Sequence, residues 1–304
     1  MTSILLTDER WNDLLDTRLR HPERIRQQIA ARRRRPLLGD DGHLFLVAAD
    51  HPARGALSVR DDATAMADRR SLLDRILVAL ENPRVDGVMA SPDVIDDLAV
   101  LGALDGRIVV GSMNRGGLLG SVWELDDRMT GYDTESLVAA GFEGGKMLLR
   151  IDDDDAGTLP TLEACAAAVS ELAAAGLMAM LEPLPYRRVD GRAKLDPSED
   201  ALIRAIGVAS ALGTSTAHTW MKLPATADVE RVMATTSMPT LLLGGAPGPD
   251  PEADRRAWAR ALAVPHVRGY VIGRSLLYPP DGDVAGAVGA AADLLITAIE
   301  AKEG

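Results

Sequence analysis

From residue 43 onward the chain repeats one pattern, a short continuous apolar run followed by a longer stretch with apolar positions at helical spacing. The runs are HLFLVAAD (43–50), VDGVMAS (85–91), RIVVGSM (107–113), GKMLLRI (145–151), GLMAMLE (176–182), TAHTWMK (216–222), PTLLLGG (239–245) and VRGYVIG (267–273). Apolar runs of this length without alternation suit parallel strands buried on both faces. The stretches between them carry helix boundaries: Ser91-Pro92, Thr158 and Ser198 as N-caps, Gly213 as a stop, and a further helix over 225–236. Eight βα units with no large odd segment favour an α/β fold of the closed (β/α)8 TIM-barrel type over an open doubly wound sheet.

Two segments fall outside the repeat. The first 40 residues read as two polar helices, Asp8 to Leu19 and Pro22 to Arg34, which predicts an N-terminal helical extension over 1–40 and a barrel over 41–304. The run Arg32 to Arg35 ends at Pro36 and reads as a solvated helix end. Residues 114–134 make an unusually long connection after the third run, and such a βα loop is expected to fold over the active mouth.

Composition narrows the function. With 47% hydrophobic but only 3% aromatic residues, the core must be aliphatic. A net charge of -12 argues against a nucleic-acid partner, because phosphate backbones are bound by clustered Lys and Arg. The lone Cys165, in an Ala-rich helix, reads as a small core residue of a reducing compartment. No apolar run reaches the ~18 residues of a membrane span and the N-terminus lacks a secretory pattern, so a cytoplasmic protein with no membrane partner is expected.

Catalytic groups of such a barrel lie at the C-terminal ends of strands. That rule selects Asp50 and His51 after the first run, Asn114 and Arg115 after the third, Lys146 and Asp152 on the fourth, Glu182 on the fifth, Lys222 on the sixth and Arg274 after the eighth. Lys146, Glu182 and Lys222 fall on consecutive strands, which places them within contact distance. A buried lysine resists its charge, a second lysine lowers its pKa further, and a neutral lysine attacks carbonyls. The seventh run ends LLLGGAPG and the eighth runs into IGRSLLYP, so Gly244, Gly245, Gly273 and Arg274 are expected to form a phosphate site. The histidines, His21, His43, His51, His218 and His266, show no paired metal-ligand spacing, and His218 reads as a core histidine of the sixth strand. The acidic run Asp152 to Asp155 reads as a solvated loop. Neither metal nor cofactor is expected.

WMKLP around Lys222, the glycine pair after the seventh run and Gly-Arg after the eighth resemble the class I aldolases of the (β/α)8 type, over roughly residues 43–300. That group includes deoxyribose-phosphate, archaeal-type fructose-bisphosphate and tagatose-bisphosphate aldolases. The tagatose-bisphosphate branch is the nearest in pattern, which implies Lys222 as the Schiff-base lysine, Glu182 as the proton carrier and Lys146 as the residue that tunes Lys222. Deoxyribose-phosphate aldolases carry a second lysine on the seventh strand, where this chain has Gly244 and Gly245. Fructose-bisphosphate relatives usually read Asp-His-Gly after the first strand, where this chain reads Asp50, His51 and Pro52.

The sequence is also similar to an actinobacterial aldolase-like family linked to inositol breakdown. This likeness implies 6-phospho-5-dehydro-2-deoxygluconate as substrate, cleaved to dihydroxyacetone phosphate and malonate semialdehyde, with Arg54, Arg115 or Arg187 on its carboxylate. Rival readings are a hexose-bisphosphate aldolase, a phosphosugar isomerase or epimerase, and a non-catalytic sugar-phosphate-binding barrel. A homo-oligomer acting on a small phosphorylated sugar or sugar acid is expected.

Overall fold

A computed structural model of the chain describes residues 5–245 and 250–303. Helices α1 (Asp8–Arg20) and α2 (Glu23–Ala31) precede β1 (Leu44–Ala49), α3 (Arg69–Leu80), β2 (Gly87–Ala90), α4 (Pro92–Val100) and β3 (Ile108–Ser112). The middle of the chain forms α5 (Thr134–Ala140), β4 (Gly144–Ile151), α6 (Thr158–Ala174), β5 (Met178–Val189), β6 (Arg192–Leu195) and α7 (Glu199–Ser210). It closes with β7 (Thr219–Pro224), α8 (Val229–Met233), β8 (Thr240–Leu243), α9 (Pro251–Leu262), β9 (Val267–Ile272), α10 (Arg274–Leu277) and α11 (Val284–Glu303). The strands run in the order β4-β3-β2-β1-β9-β8-β7-β5, and a β4–β5 pairing closes the ring. Every pairing around the ring is parallel, so the fold is a (β/α)8 TIM barrel.

Strand alternation sorts the apolar residues into two cores. Leu44, Leu46, Met89, Ile108, Val110, Met180, Trp220, Leu241 and Val271 point inward and fill the barrel. Their chain neighbours Phe45, Val47, Val88, Val109, Leu181, Met221, Leu242 and Ile272 point outward and meet the helices. Each fully buried side chain of this kind contributes about 1.5–3 kcal/mol.

The arginine run departs from expectation. Helix α2 stops at Ala31, and Arg32 is buried beneath the barrel. Its guanidinium donates to the Arg107 and Gly141 carbonyls at 2.5 and 2.7 Å, pairs with Glu143 at 3.1 Å and lies over the Phe142 ring. Glu143 in turn accepts the Val109 N–H of β3, and Asp86 accepts the Phe45 N–H of β1 while pairing with Arg35 at 2.8 Å. Strand starts leave amides unpaired, carboxylates cap them, and the arginines neutralise the buried charge. Only Arg33 and Arg34 keep side chains largely in solvent.

Smaller corrections follow from local chemistry. Helix α6 begins at Thr158 itself, whose hydroxyl donates to the Asp152 carbonyl, and Gly157 is the cap. The helix expected over 225–236 shrinks to α8, started by Asp228. His218 is exposed in the turn before β7 rather than in the core, because the strand starts one residue later. Cys165 is buried as expected. Helix α11 is long and apolar enough by length and composition to cross a membrane, contrary to the reading of apolar runs, yet it packs on α3, α9 and α10 as the last outer helix.

Candidate active site

The inward parity of each strand continues upward from the barrel filling to the mouth. Above Leu44, Leu46 and Ala48 comes Asp50, above Ile108 and Val110 comes Ser112, above Met178 and Met180 comes Glu182, and above Trp220 comes Lys222. On β4, Gly144 leaves the same face to Lys146, Leu148 and Arg150. Lys146 stands level with Ser112 and Met180, while Glu182 stands level with Leu148, one layer higher. A charged layer therefore sits directly on an apolar one, at the lip of a cavity of about 400 Å³.

The charges in that layer form one chain. Lys222 Nζ is 3.1 Å from Glu182 Oε1, Lys146 Nζ is 2.5 Å from Glu182 Oε2, and Lys146 Nζ is 3.3 Å from Asp50 Oδ2. Asp50 Oδ2 also accepts from Ser112 Oγ at 3.0 Å and Arg115 Nη2 at 2.5 Å, while Arg115 Nη1 donates to the Asp50 carbonyl at 2.7 Å. Burial disfavours the ammonium of Lys146 and, against the pull of Asp50 and Glu182, brings it down to about 8. Burial would raise Glu182, but Lys146 and Lys222 outweigh it and hold the carboxyl at about 2. Asp50 is likewise raised by burial and overruled by Arg115 and Lys146, so it stays well below the usual carboxylate range. Burial lowers His51 to about 3, leaving a neutral ring at physiological pH, with Nδ1 3.9 Å from Asp50 Oδ1.

The structure brings Asp50, His51, Arg115, Lys146, Glu182, Lys222, Gly244, Gly245, Gly273 and Arg274 to this one cavity. Gly273 is tightly placed, since a Cβ there would lie 2.4 Å from the Ala48 carbonyl. Arg274 makes no ion pair among the described residues. Burial lowers its pKa and Glu182 and Asp50 act against that shift. Positions 246–248 of the LLLGGAPG run lie outside the described residues.

Other expected residues take different places. Arg187 is exposed and outside the cavity, and Arg54 lines it with its terminal nitrogens engaged by Asp127, Asn114 and Gly117. Asn114 is turned to β4, exchanging side-chain hydrogen bonds with the Leu148 backbone at 2.5 and 2.8 Å. Asp152 is buried beside the start of α6 and does not line the cavity. Among the described residues no three His, Cys, Asp or Glu side chains gather as a metal-binding group.

Sequence reasoning missed Ser112, Glu124, Arg150 and a hairpin. Strand β5 runs on past the barrel rim and pairs antiparallel with β6 through a turn at Asp190-Gly191, where both residues have positive φ. Tyr186 and Leu195 of this hairpin and Leu119 of the long loop wall the cavity, so the 114–134 loop does reach the mouth. The Asp-Gly dipeptide was the available signal. A second signal was numerical: the chain has four lysines, and two of them, Lys146 and Lys222, are in this cavity. A larger hollow of about 530 Å³ lies between α9 and the start of α11, and no lysine lines it.

The Cgl0159-like family profile matches residues 42–292. No curated protein matches. Among solved structures, Cgl0159 from Corynebacterium glutamicum is 53% identical, with a TM-score of 0.95 over 97% of this chain and 99% of that one. An archaeal fructose 1,6-bisphosphate aldolase is 15% identical, with a TM-score of 0.64 over 90% of this chain and 99% of that one. An archaeal fructose-1,6-bisphosphate aldolase whose catalytic Lys carries the carbinolamine intermediate of its substrate is 14% identical, with a TM-score of 0.62 over 89% and 99%. These two likenesses concern the fold.

Proposed function

The chain belongs to the Cgl0159-like family, and from that premise and the charged layer at its barrel mouth we propose that it is a class I aldolase that cleaves a phosphorylated keto sugar or keto sugar acid. The observation that carries the reading is the buried chain Lys222–Glu182–Lys146–Asp50, two amines and two carboxylates alternating at one lip of the barrel. Buried charges are costly, and this many at the C-terminal mouth fit chemistry better than stability. One relative in fold, an archaeal fructose-1,6-bisphosphate aldolase, carries the carbinolamine intermediate of its substrate on its catalytic Lys.

In this mechanism Lys222, after giving up its proton, adds its amine to the substrate ketone to give a carbinolamine, and loss of water leaves an iminium. Glu182, ionised in the resting site, takes the proton from the substrate hydroxyl as the C–C bond breaks. The bond's electron pair moves into the iminium to give an enamine, and the aldehyde half leaves. Protonation of the enamine and hydrolysis then free the ketone half and regenerate Lys222. Lys146 holds Glu182 in place and offers an ammonium to a substrate oxygen. Arg274 and the backbone around Gly244, Gly245 and Gly273 take the phosphate, with His51 as a neutral hydrogen-bonding partner for a hydroxyl.

Of the three arginines expected on a substrate carboxylate, Arg187 lies outside the cavity, and Arg54 and Arg115 are engaged within the protein. The acid to test first is 6-phospho-5-dehydro-2-deoxygluconate. Incubation with dihydroxyacetone phosphate and borohydride should add the reduced ligand to the peptide containing Lys222. Labelling at Lys146 would exchange the two roles, and no adduct at either lysine would remove the Schiff-base reading.

A further inference from the structure

Arg115 is held on both flanks. It lies in the stretch Asn114-Arg115-Gly116-Gly117, where the chain leaves β3 for the long loop. Arg54 Nη2 donates to the Asn114 carbonyl at 2.5 Å, and Arg54 Nη1 reaches the Gly117 carbonyl at 3.3 Å and pairs with Asp127. Arg150 Nη2 donates to the same Gly117 carbonyl at 3.0 Å, and its Nη1 pairs with Glu124 at 2.7 Å. Asp127 accepts the Gly117 N–H at 2.9 Å. The Asn114 side chain continues the sheet where the β3 backbone has left it, through its paired bonds to Leu148 of β4. Gly117 admits this closeness, since a Cβ there would meet Arg150 Nη2 and the Glu124 carbonyl at 2.2 Å each.

Arg54, Asn114, Glu124, Asp127 and Arg150 are all nearly inaccessible to solvent. Their side-chain hydrogen bonds run to the loop and to β4, so both terminal nitrogens of Arg54 and of Arg150 are engaged within the protein where these residues line the cavity. Between the two gripped residues, Arg115 alone points at Asp50. We propose that Arg54, Asn114 and Arg150 are positioning residues that act through Arg115, clamping the corner at residues 114–117 so that Arg115 holds Asp50 against Lys146. This rests on the Schiff-base reading only in treating that cluster as the catalytic one.

Lys146 reports on the clamp. It faces Asp50 from β1, Glu182 from β5, Lys222 from β7 and Arg115 from the loop, and Arg115 is among the groups that lower it. If the corner is released, Arg115 withdraws and Asp50 pairs with Lys146 alone, so Lys146 must titrate higher. The chain's four lysines make this measurable by NMR of 13C-lysine-labelled protein without any ligand. Arg54→Met and Asn114→Ala should each shift the Lys146 titration upward by about one unit. In an Arg115→Met background neither should shift it further, because the effect passes through Arg115. A folded Arg54→Met protein in which Lys146 titrates as in the wild type would overturn the proposal. So would shifts that add to that of Arg115→Met. If Arg54→Met does not fold, Asn114→Ala carries the same test. Weaker trapping of dihydroxyacetone phosphate by Arg54→Met with Lys146 unmoved would instead make Arg54 a substrate ligand. Failure of the Schiff-base reading would appear separately, as wild-type protein that gives no borohydride adduct.

Discussion

Replacing Glu182 by Gln tests the charged layer most directly, because it keeps the shape of the side chain and removes the one anion that touches both lysines. The lysines hold Glu182 at about 2 against an ordinary 4.5, so the carboxylate's interactions amount to about 3 kcal/mol at neutral pH. Losing a partner from a buried pair usually costs 3–5 kcal/mol, because a charge is stranded. Here Lys146 still has Asp50 at 3.3 Å, and with its pKa already down at about 8 while Glu182 is present, it gives up its proton near neutral pH more readily once that carboxylate is gone. The expected loss at pH 7 is therefore below that range, at about 2–3 kcal/mol.

The sign with pH follows from linkage. Without Glu182 the folded-state pKa of Lys146 falls further below its unfolded value, so the variant's stability starts to rise with pH earlier than the wild type's, which rises only from about 8. The gap between the two proteins should narrow from pH 6 to pH 8. At the acid end the wild type loses the Glu182 contribution as pH falls below the ordinary value of 4.5 towards about 2, and the variant does not. Urea denaturation followed by circular dichroism at intervals from pH 3 to pH 9 measures both limbs. A loss of 3–5 kcal/mol that is the same at pH 6 and pH 8 would refute the reasoning, since it would mean that Lys146 keeps its charge without Glu182.

Two further outcomes are expected besides lysine trapping. Arg274→Ala should weaken capture of dihydroxyacetone phosphate by about 1.5–3 kcal/mol and leave capture of unphosphorylated dihydroxyacetone nearly unchanged, read from the concentration dependence of borohydride trapping; equal losses would place Arg274 outside the phosphate subsite. Arg32→Met should cost about 3–5 kcal/mol in denaturant unfolding, because Glu143 keeps only Arg34, whose side chain is 58% exposed; a loss under about 1 kcal/mol would show that solvent and Arg34 suffice.

The repeating apolar runs and the helical stretches between them determined a (β/α)8 barrel before any coordinates, because strands buried on both faces need helices around them. They also placed Asp50, Glu182 and Lys222 at strand ends and Lys146 on the fourth strand. What they left open was which face each side chain takes, since a run apolar at every position conceals its own alternation. Closure of the ring decided it: β4 pairs with both β3 and β5, and the inward parity that carries Met180 and Trp220 carries Glu182 and Lys222 one step above. The roles of the arginines were equally out of reach. Arg32, Arg54, Arg115 and Arg150 each bind partners more than 20 residues away in sequence, so no local pattern separates them from the solvated arginines that look the same in the chain. A guanidinium's role is set by the carbonyls and carboxylates that face it, and only tertiary structure brings those together.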